Sequence, residues 1–257
     1  MENGLRRALE REEFALYYQP QVEVKTGRLI GVEALLRWRN EDGTVISPGE
    51  FIPLAEETGL ILPIGEWVLH KACRQNRQWR DAGFPPVEIS VNISALQVAR
   101  GNLVSLVAGV LEKTGLEPSG LAVEITENSL MENRDAAREI FRALDDMGVR
   151  IYIDDFGTGY SSLGYLKNFA LSGFKVDKSF VDGIATCVRD AAILEAMFGM
   201  ARSLELDVVV EGVENAVQLT VLKSLGCRFV QGFLYSTPLP PEMATLYVKK
   251  GFVRPPG

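Results

Sequence analysis

Short runs of β-branched and other apolar residues alternate along the chain with longer stretches whose apolar positions recur every three or four residues. The short runs, at 16–22, 29–38, 87–93, 121–126, 150–155, 174–177, 207–213 and 229–234, predict eight strands. The longer stretches predict helices with readable ends. Ser47-Pro-Gly-Glu50 predicts a capping box with proline at the first helical position. The stretches 133–147, 190–204 and 216–225 predict further helices, the first and last running into Gly148 and Gly226. Strands and helices in alternation define an α/β chain, either a closed barrel or a doubly wound open sheet. The first two strands break the alternation. Only Glu23-Val-Lys-Thr-Gly-Arg28 joins them, too short for a helical crossover, so an antiparallel hairpin is expected. No low-complexity tract or linker interrupts the pattern, and residues 1–257 are expected to form a single domain.

A strand buried on both faces should be continuously apolar. Here nearly every strand is interrupted, mostly toward its C-terminal end, by a charged or amide residue. The set is Glu33, Asn92, Glu124, Asp154 with Asp155, Lys175 with Asp177, Glu211 and Gln231. Buried carboxylates are costly unless they are paired or bound to metal. A closed barrel gathers such positions at its C-terminal mouth, where barrel enzymes carry their active sites, whereas an open sheet scatters them. Carboxylates and an amide, without Cys or His, make an all-oxygen donor set suited to Mg²⁺ or Mn²⁺. Two such ions can clamp the attacking and leaving oxygens of a phosphodiester. Adjacent Asp154 and Asp155 would face opposite ways inside a regular strand, so serving one site requires them to splay at its end. Metal-assisted phosphodiester hydrolysis fits this set, although an aldolase- or enolase-like barrel uses similar parts.

Composition narrows the alternatives. With 257 residues, 47% hydrophobic and 24% charged, the chain is an ordinary globular sequence. Its net charge of −7 leaves no global basic footprint for duplex DNA or RNA or for an anionic membrane. No apolar run reaches the ~18 residues of a membrane span, and the start lacks a signal-peptide pattern, so a cytoplasmic domain is expected. The three cysteines, Cys73, Cys187 and Cys227, are far apart and form no CxxC pair. His70 is the single histidine, which excludes HExxH zinc enzymes and argues against a histidine-based triad. Asp154-Asp-Phe-Gly-Thr-Gly159 has neither the third glycine of a dinucleotide fingerprint nor the Gly-Lys-Ser of a P-loop. Its glycines point instead to a mobile loop over the mouth.

Glu33-Ala-Leu35, within Gly31-Val-Glu-Ala-Leu-Leu-Arg-Trp38, resembles the signature of the EAL domain, the bacterial cyclic di-GMP phosphodiesterase. Similar motifs follow in order along almost the whole chain. They are Tyr17-Tyr-Gln-Pro20, Pro48-Gly-Glu-Phe-Ile-Pro-Leu-Ala-Glu56, Val91-Asn-Ile-Ser94, Glu124-Ile-Thr-Glu127 and Asp154-Asp-Phe-Gly-Thr-Gly-Tyr-Ser-Ser162, then Lys175-Val-Asp-Lys-Ser-Phe180, Glu211-Gly-Val-Glu214 and Gln231-Gly-Phe-Leu234. The resemblance implies a modified TIM (β/α)8 barrel with one antiparallel strand. It further implies a two-metal site for Mg²⁺ or Mn²⁺ and hydrolysis of one phosphodiester bond of cyclic di-GMP to linear pGpG.

Carried over residue by residue, the resemblance makes Glu33, Asn92, Glu124 and Asp154 ligands of a first metal. Asp154, Asp155 and Glu211 would serve the second, with Glu211 a candidate general base and Lys175 the water-orienting lysine. Gln19, Arg37, Asp177, Glu214 and Gln231 resemble substrate-binding groups, and Glu127 resembles the residue that stabilises the Asp-Phe-Gly-Thr-Gly loop. Two departures from the common pattern, Asn215 for Thr and Val210 for Ala, remove no ligand. The opening Leu5-Arg-Arg-Ala-Leu-Glu-Arg-Glu-Glu-Phe14 resembles the helix joining such domains to sensory or GGDEF modules, so residues 1–12 are expected to be a linker helix. A homodimer fused to such a module is expected. A dormant cyclic di-GMP receptor and a dimerising regulatory module are the alternatives; the intact acidic set favours the enzyme.

Overall fold

The computed structural model describes residues 2–40, 43–100, 102–132, 134–158 and 169–255. Among these residues nine strands form one sheet: β1 Phe14–Glu23, β2 Leu29–Arg39, β3 Val45–Ile46, β4 Glu88–Asn92, β5 Leu121–Thr126, β6 Arg150–Phe156, β7 Gly173–Val176, β8 Asp207–Val210 and β9 Phe229–Gln231. β2 and then β4 to β9 pair in parallel, each with the next. β1 closes the ring, antiparallel to both β2 and β9. The result is a closed eight-stranded barrel with one antiparallel strand, as the short first connection requires. β3 lies outside the ring on the far end of β2, pairing Trp38 with Ile46 and Arg39 with Val45. Two residues are too few to show a period, so this ninth strand is absent from the sequence reading.

Helices cross over between the parallel strands, including Ile61–Asp81 before β4, Leu103–Thr114 before β5 and Arg134–Asp146 before β6. Val188–Ser203 and Ala216–Ser224 precede β8 and β9. Arg134–Asp146 shows why such segments fold: Ala137, Ile140, Phe141 and Leu144 share one face and are buried against the barrel. The hairpin supplies no crossover helix for β1. Pro241–Lys250 packs there instead, and Phe14 stacks with Trp38, Phe51 and Trp67 at the barrel's side. The helix Glu2–Ala8, expected as a linker, buries Leu5 and Ala8.

The expected capping box at Ser47 does not form. Ser47 is the N-cap of Pro48–Glu57, but its side chain makes no capping bond; its carbonyl accepts the N–H of Glu50 at 2.9 Å. Boxes form instead at Ser94 with Gln97 and at Asn215 with Gln218, so the atypical Asn215 caps Ala216–Ser224. The helix expected at 190–204 begins two residues earlier, at Val188. Asn133, and Gly159 to Ser162 of the glycine loop, lie outside the described residues.

Candidate active site

Parallel strands that close into a ring bring their C-terminal ends to one mouth, and most of the interrupting polar residues lie there. Asn92 ends β4, Gln231 ends β9 and Lys175 is the penultimate residue of β7. Glu211 lies one residue past β8, yet its N–H still continues the ladder to Val176 O at 3.0 Å. Glu33 stands in mid-strand, since β2 runs beyond the ring to meet β3, and Glu124 stands two residues short of the end of β5. In register Glu33 stands opposite Gln19 on β1 and beside Ser90 on β4, two residues short of Asn92, and its carboxylate reaches the others through Asn92 and Lys175.

Lys175 occupies the centre. Its Nζ lies 3.0 Å from Glu33, 2.7 Å from Glu124, 3.4 Å from Asp154 and 2.6 Å from Glu211. Asn92 Nδ2 donates to Glu33 Oε1 at 2.7 Å, which leaves the Asn92 Oδ1 as the oxygen free to face a cation. Gln231 Nε2 donates to Glu33 Oε2 at 2.6 Å and to Gln19 Oε1 at 3.1 Å, and Gln19 in turn donates to Ser236 O at 3.2 Å. Both glutamines are buried and form a chain that orients Glu33.

Asp154 and Asp155 reach one site through a bulge. The β6–β7 register shifts between Ile153 and Phe156, so the two aspartates sit where one residue would be expected. Asp155 adopts a left-handed φ of 53°, and its N–H donates to Asp154 Oδ1 at 3.0 Å. Two carboxylate sets result, Glu33–Glu124–Asp154 and Asp154–Asp155–Glu211, and within each set the ligating oxygens lie within 4.8 Å of one another. Asp154 belongs to both sets, so its carboxylate could serve either of two neighbouring cations.

The electrostatics favour a cation. Four carboxylates surround one ammonium, with Asp155 beyond them. Burial works against the Lys175 charge, but Asp154, Glu124, Glu211 and Glu33 outweigh it and hold its pKa well above the usual lysine value. Burial likewise opposes ionisation of Glu33, yet Lys175 and the hydrogen bonds from Gln231 and Asn92 hold its pKa below the ordinary range. Glu124 is pushed well up by burial and by Glu33 and Asp154; Asp154 is raised by burial and Glu33. Burial, with Asp154 and Glu33 nearby, pushes Glu211 up to about 8. A single lysine thus cannot hold all these buried acids ionised, and oxygen-preferring divalent ions, which favour the ionised form, fit the donor set.

Beside the acids opens a cavity of 470 Å³, lined by Arg37, Ile52, Ile64, Asn92, Ser94 and Asp155 among others. This size suits a small organic ligand. Arg37 lies over the Tyr17 ring at 5.6 Å and donates to Leu36 O at 2.8 Å. Asp177 accepts the Ser179 N–H at 3.0 Å, and Glu214 accepts from Lys178 Nζ at 2.6 Å. Lys178 received no role in the sequence reading, although it stands inside Lys175-Val-Asp-Lys178. Its stem crosses Gly212, where a Cβ would stand 2.4 Å from Lys178 Cγ. Glu127, the first residue of Glu127–Glu132, is buried, and its Oε2 accepts the N–H of Gly157 at 3.1 Å.

A closed α/β barrel with overlapping carboxylate sets and a ligand-sized cavity at its mouth defines a barrel protein with an acidic cluster compatible with a metal site. The chain belongs to the EAL domain family, which matches residues 2–238. It is 50% identical over 240 residues to the bifunctional diguanylate cyclase/cyclic di-GMP phosphodiesterase MucR of Pseudomonas aeruginosa, covering 93% of this chain and 35% of that protein. It is 42% identical over 240 residues to the cyclic di-GMP phosphodiesterase NbdA of the same species, covering 93% of this chain and 31% of the relative. The chain therefore spans about a third of the length of these relatives. Among solved structures, a MucR phosphodiesterase in complex with c-di-GMP superimposes with a TM-score of 0.90 at 50% identity, covering 94% of this chain and 98% of that one. The EAL enzyme Bd1971, with cAMP and cyclic di-GMP bound, gives 0.91 at 32% identity over 96% of this chain and 68% of its own. No described helix is long and apolar enough to cross a membrane.

Proposed function

We propose that this chain hydrolyses one phosphodiester bond of cyclic di-GMP to give linear pGpG. The observation that carries the reading is the pair of carboxylate sets sharing Asp154, with Lys175 among them and a ligand-sized cavity alongside. Membership of the EAL family and the names of the similar proteins support it. Glu33, Asn92, Glu124 and Asp154 would hold one ion and Asp154, Asp155 and Glu211 a second, Mg²⁺ or Mn²⁺ on the chemistry of the oxygen donors. Bound there, the ions would supply positive charge to the phosphate oxygens and make water acidic enough to attack.

The protein's own groups do the remainder. Glu211, at the edge of the cluster, accepts the proton of the attacking water. Lys175 orients the carboxylates and offsets part of the burial that opposes their ionisation, while Gln231 and Gln19 hold Glu33 in place. Arg37 at the rim pairs with phosphate or a base edge. Asp177 and Glu214 offer acceptors for the N–H groups of guanine, and Glu127 holds the turn that follows Asp155. Incubation with cyclic di-GMP and Mg²⁺ or Mn²⁺, followed by chromatography, tests the reading: pGpG is expected. Tight binding without product would support a receptor instead.

The proposed setting is a cytoplasmic domain within a longer signalling protein, joined to a sensory or GGDEF module and acting as a homodimer. The helix Val188–Ser203 supports the last point, since it exposes Val188 (84%) and Ile193 (41%) together with Ala192 and Ala196. Sedimentation of Ile193→Glu beside the parent tests it; a parent that sediments as a monomer would refute the dimer.

A further inference from the structure

Gly157, directly after β6, is gripped from two sides. Its φ is +97°, and its N–H is taken by Glu127. On its other side Met197 and Phe180 press close: a Cβ would stand 2.9 Å from Met197 Cε and 2.9 Å from both Cε2 and Cζ of Phe180. Phe180 belongs to the short helix Ser179–Asp182 after β7, and Met197 to Val188–Ser203; both pack against the core as half-buried side chains.

Two residues upstream, Asp155 holds a left-handed φ of 53°, which aspartate adopts more readily than most residues with a Cβ but still at a cost its surroundings must offset. The strand side of this turn is anchored by Phe156, whose ring lies 4.3 Å from that of Phe174. On the exit side, among the described residues, Thr158 closes the turn on itself, its N–H and hydroxyl donating to Asp155 O at 3.3 and 2.8 Å, and Gly157 carries the contacts to Glu127, Phe180 and Met197. We propose that Phe180 and Met197 are positioning residues that clamp Gly157 and thereby hold the Asp155 carboxylate against Asp154 and Glu211. This rests on the reading that Asp154, Asp155 and Glu211 bind a divalent ion. Glu33 and Glu124 stand on β2 and β5 and are fixed by Lys175, with Asn92 and Gln231 also holding Glu33; Asp154, the third member of their set, lies within β6 with Lys175 Nζ 3.4 Å away, so loosening the clamp spares this set and falls on Asp155.

The test is Mn²⁺ binding to the substrate-free full chain, followed by electron paramagnetic resonance of the free ion. The parent is expected to take up two ions. Phe180→Leu and Met197→Ala are expected to weaken one of them at least tenfold and change the other less than twofold, as Asp155→Ala should. Met197→Leu, which keeps the contact, should behave as the parent. Thermal melting of each variant reports whether its fold survives. Variants that bind both ions like a two-ion parent would overturn the clamp alone, and so would equal weakening of both ions. A parent that binds fewer than two ions would overturn the metal reading and the clamp together.

Discussion

Lys175 and Glu124 form an ion pair at 2.7 Å in which each side chain is only 1% exposed. Neither can reach water, so each depends on the other and on the acids around them. Removing one partner of a buried pair costs far more than the pair contributes, because the remaining charge is stranded. Lys175→Met keeps most of the stem and removes the charge. It should abolish turnover and, in the presence of a chelator, lower the unfolding free energy by about 3 kcal/mol. Urea titration and product chromatography check both; an unchanged midpoint would contradict the central placement of the lysine.

Glu33→Ala removes the acceptor shared by Asn92, Gln231 and Lys175 and should eliminate detectable pGpG formation. Glu211→Gln keeps the shape of that side chain but not its basicity, and should lower the rate by ~10²–10⁴-fold. Single-turnover assays at saturating Mg²⁺ measure both. Parent-like rates would remove these residues from the mechanism.

Arg37 stands at the rim, away from the carboxylate sets, with its guanidinium over Tyr17. Arg37→Ala should act on binding, weakening cyclic di-GMP affinity by about 10- to 100-fold, the worth of a charge-assisted hydrogen bond. Calorimetric titration in a Glu211→Gln background measures affinity without turnover. A defect confined to kcat would contradict the rim role.

Glu127 is buried beside Gly157 rather than exposed at a helix start, so its loss takes the acceptor from a half-buried N–H. Glu127→Ala should lower kcat and raise the Mg²⁺ concentration needed for half-maximal rate. It should also cost ~1–3 kcal/mol of stability. Glu127→Gln, which still offers an oxygen to Gly157, should recover most of both. Overlapping Mg²⁺ titrations for parent and Glu127→Ala would exclude a role in holding the loop.

The opposite end of the barrel carries a separate titration. Arg150 is committed to Asp207 at 2.6 Å and lies farther from Glu88, at 3.6 Å. Burial, with Asp207 nearby, pushes Glu88 from 4.5 up to about 7 despite Arg150. Folding therefore favours the protonated acid. Its stabilisation is complete below pH ~4.5 and is lost as pH rises through about 7. Glu88→Gln should flatten the fall in Tm between pH 5 and 8 and, at pH 8, stabilise the chain by on the order of 2 kcal/mol. Parallel melting curves for the two proteins across that range would show that Glu88 does not carry the effect.

Residue type and period are local properties, and what depends on them was readable from the chain itself. The alternation of strand and helix, the antiparallel first hairpin, one polar group on nearly every strand and the all-oxygen chemistry of Glu33, Asn92, Glu124 and Asp154 are of this kind. Tertiary structure decided the rest. Asp154 and Asp155 face one site because β6 bulges against β7, and Glu33 reaches the strand-end residues from mid-strand because β2 continues past the ring. Gln19 and Gln231, 212 positions apart, meet only where β1 closes on β9. Lys178 finds Glu214, and Phe180 and Met197 find Gly157, through loops and helices from different crossovers. Register, bulges and close approaches are set by pairing between segments distant along the chain, and no local pattern encodes which partner will be there.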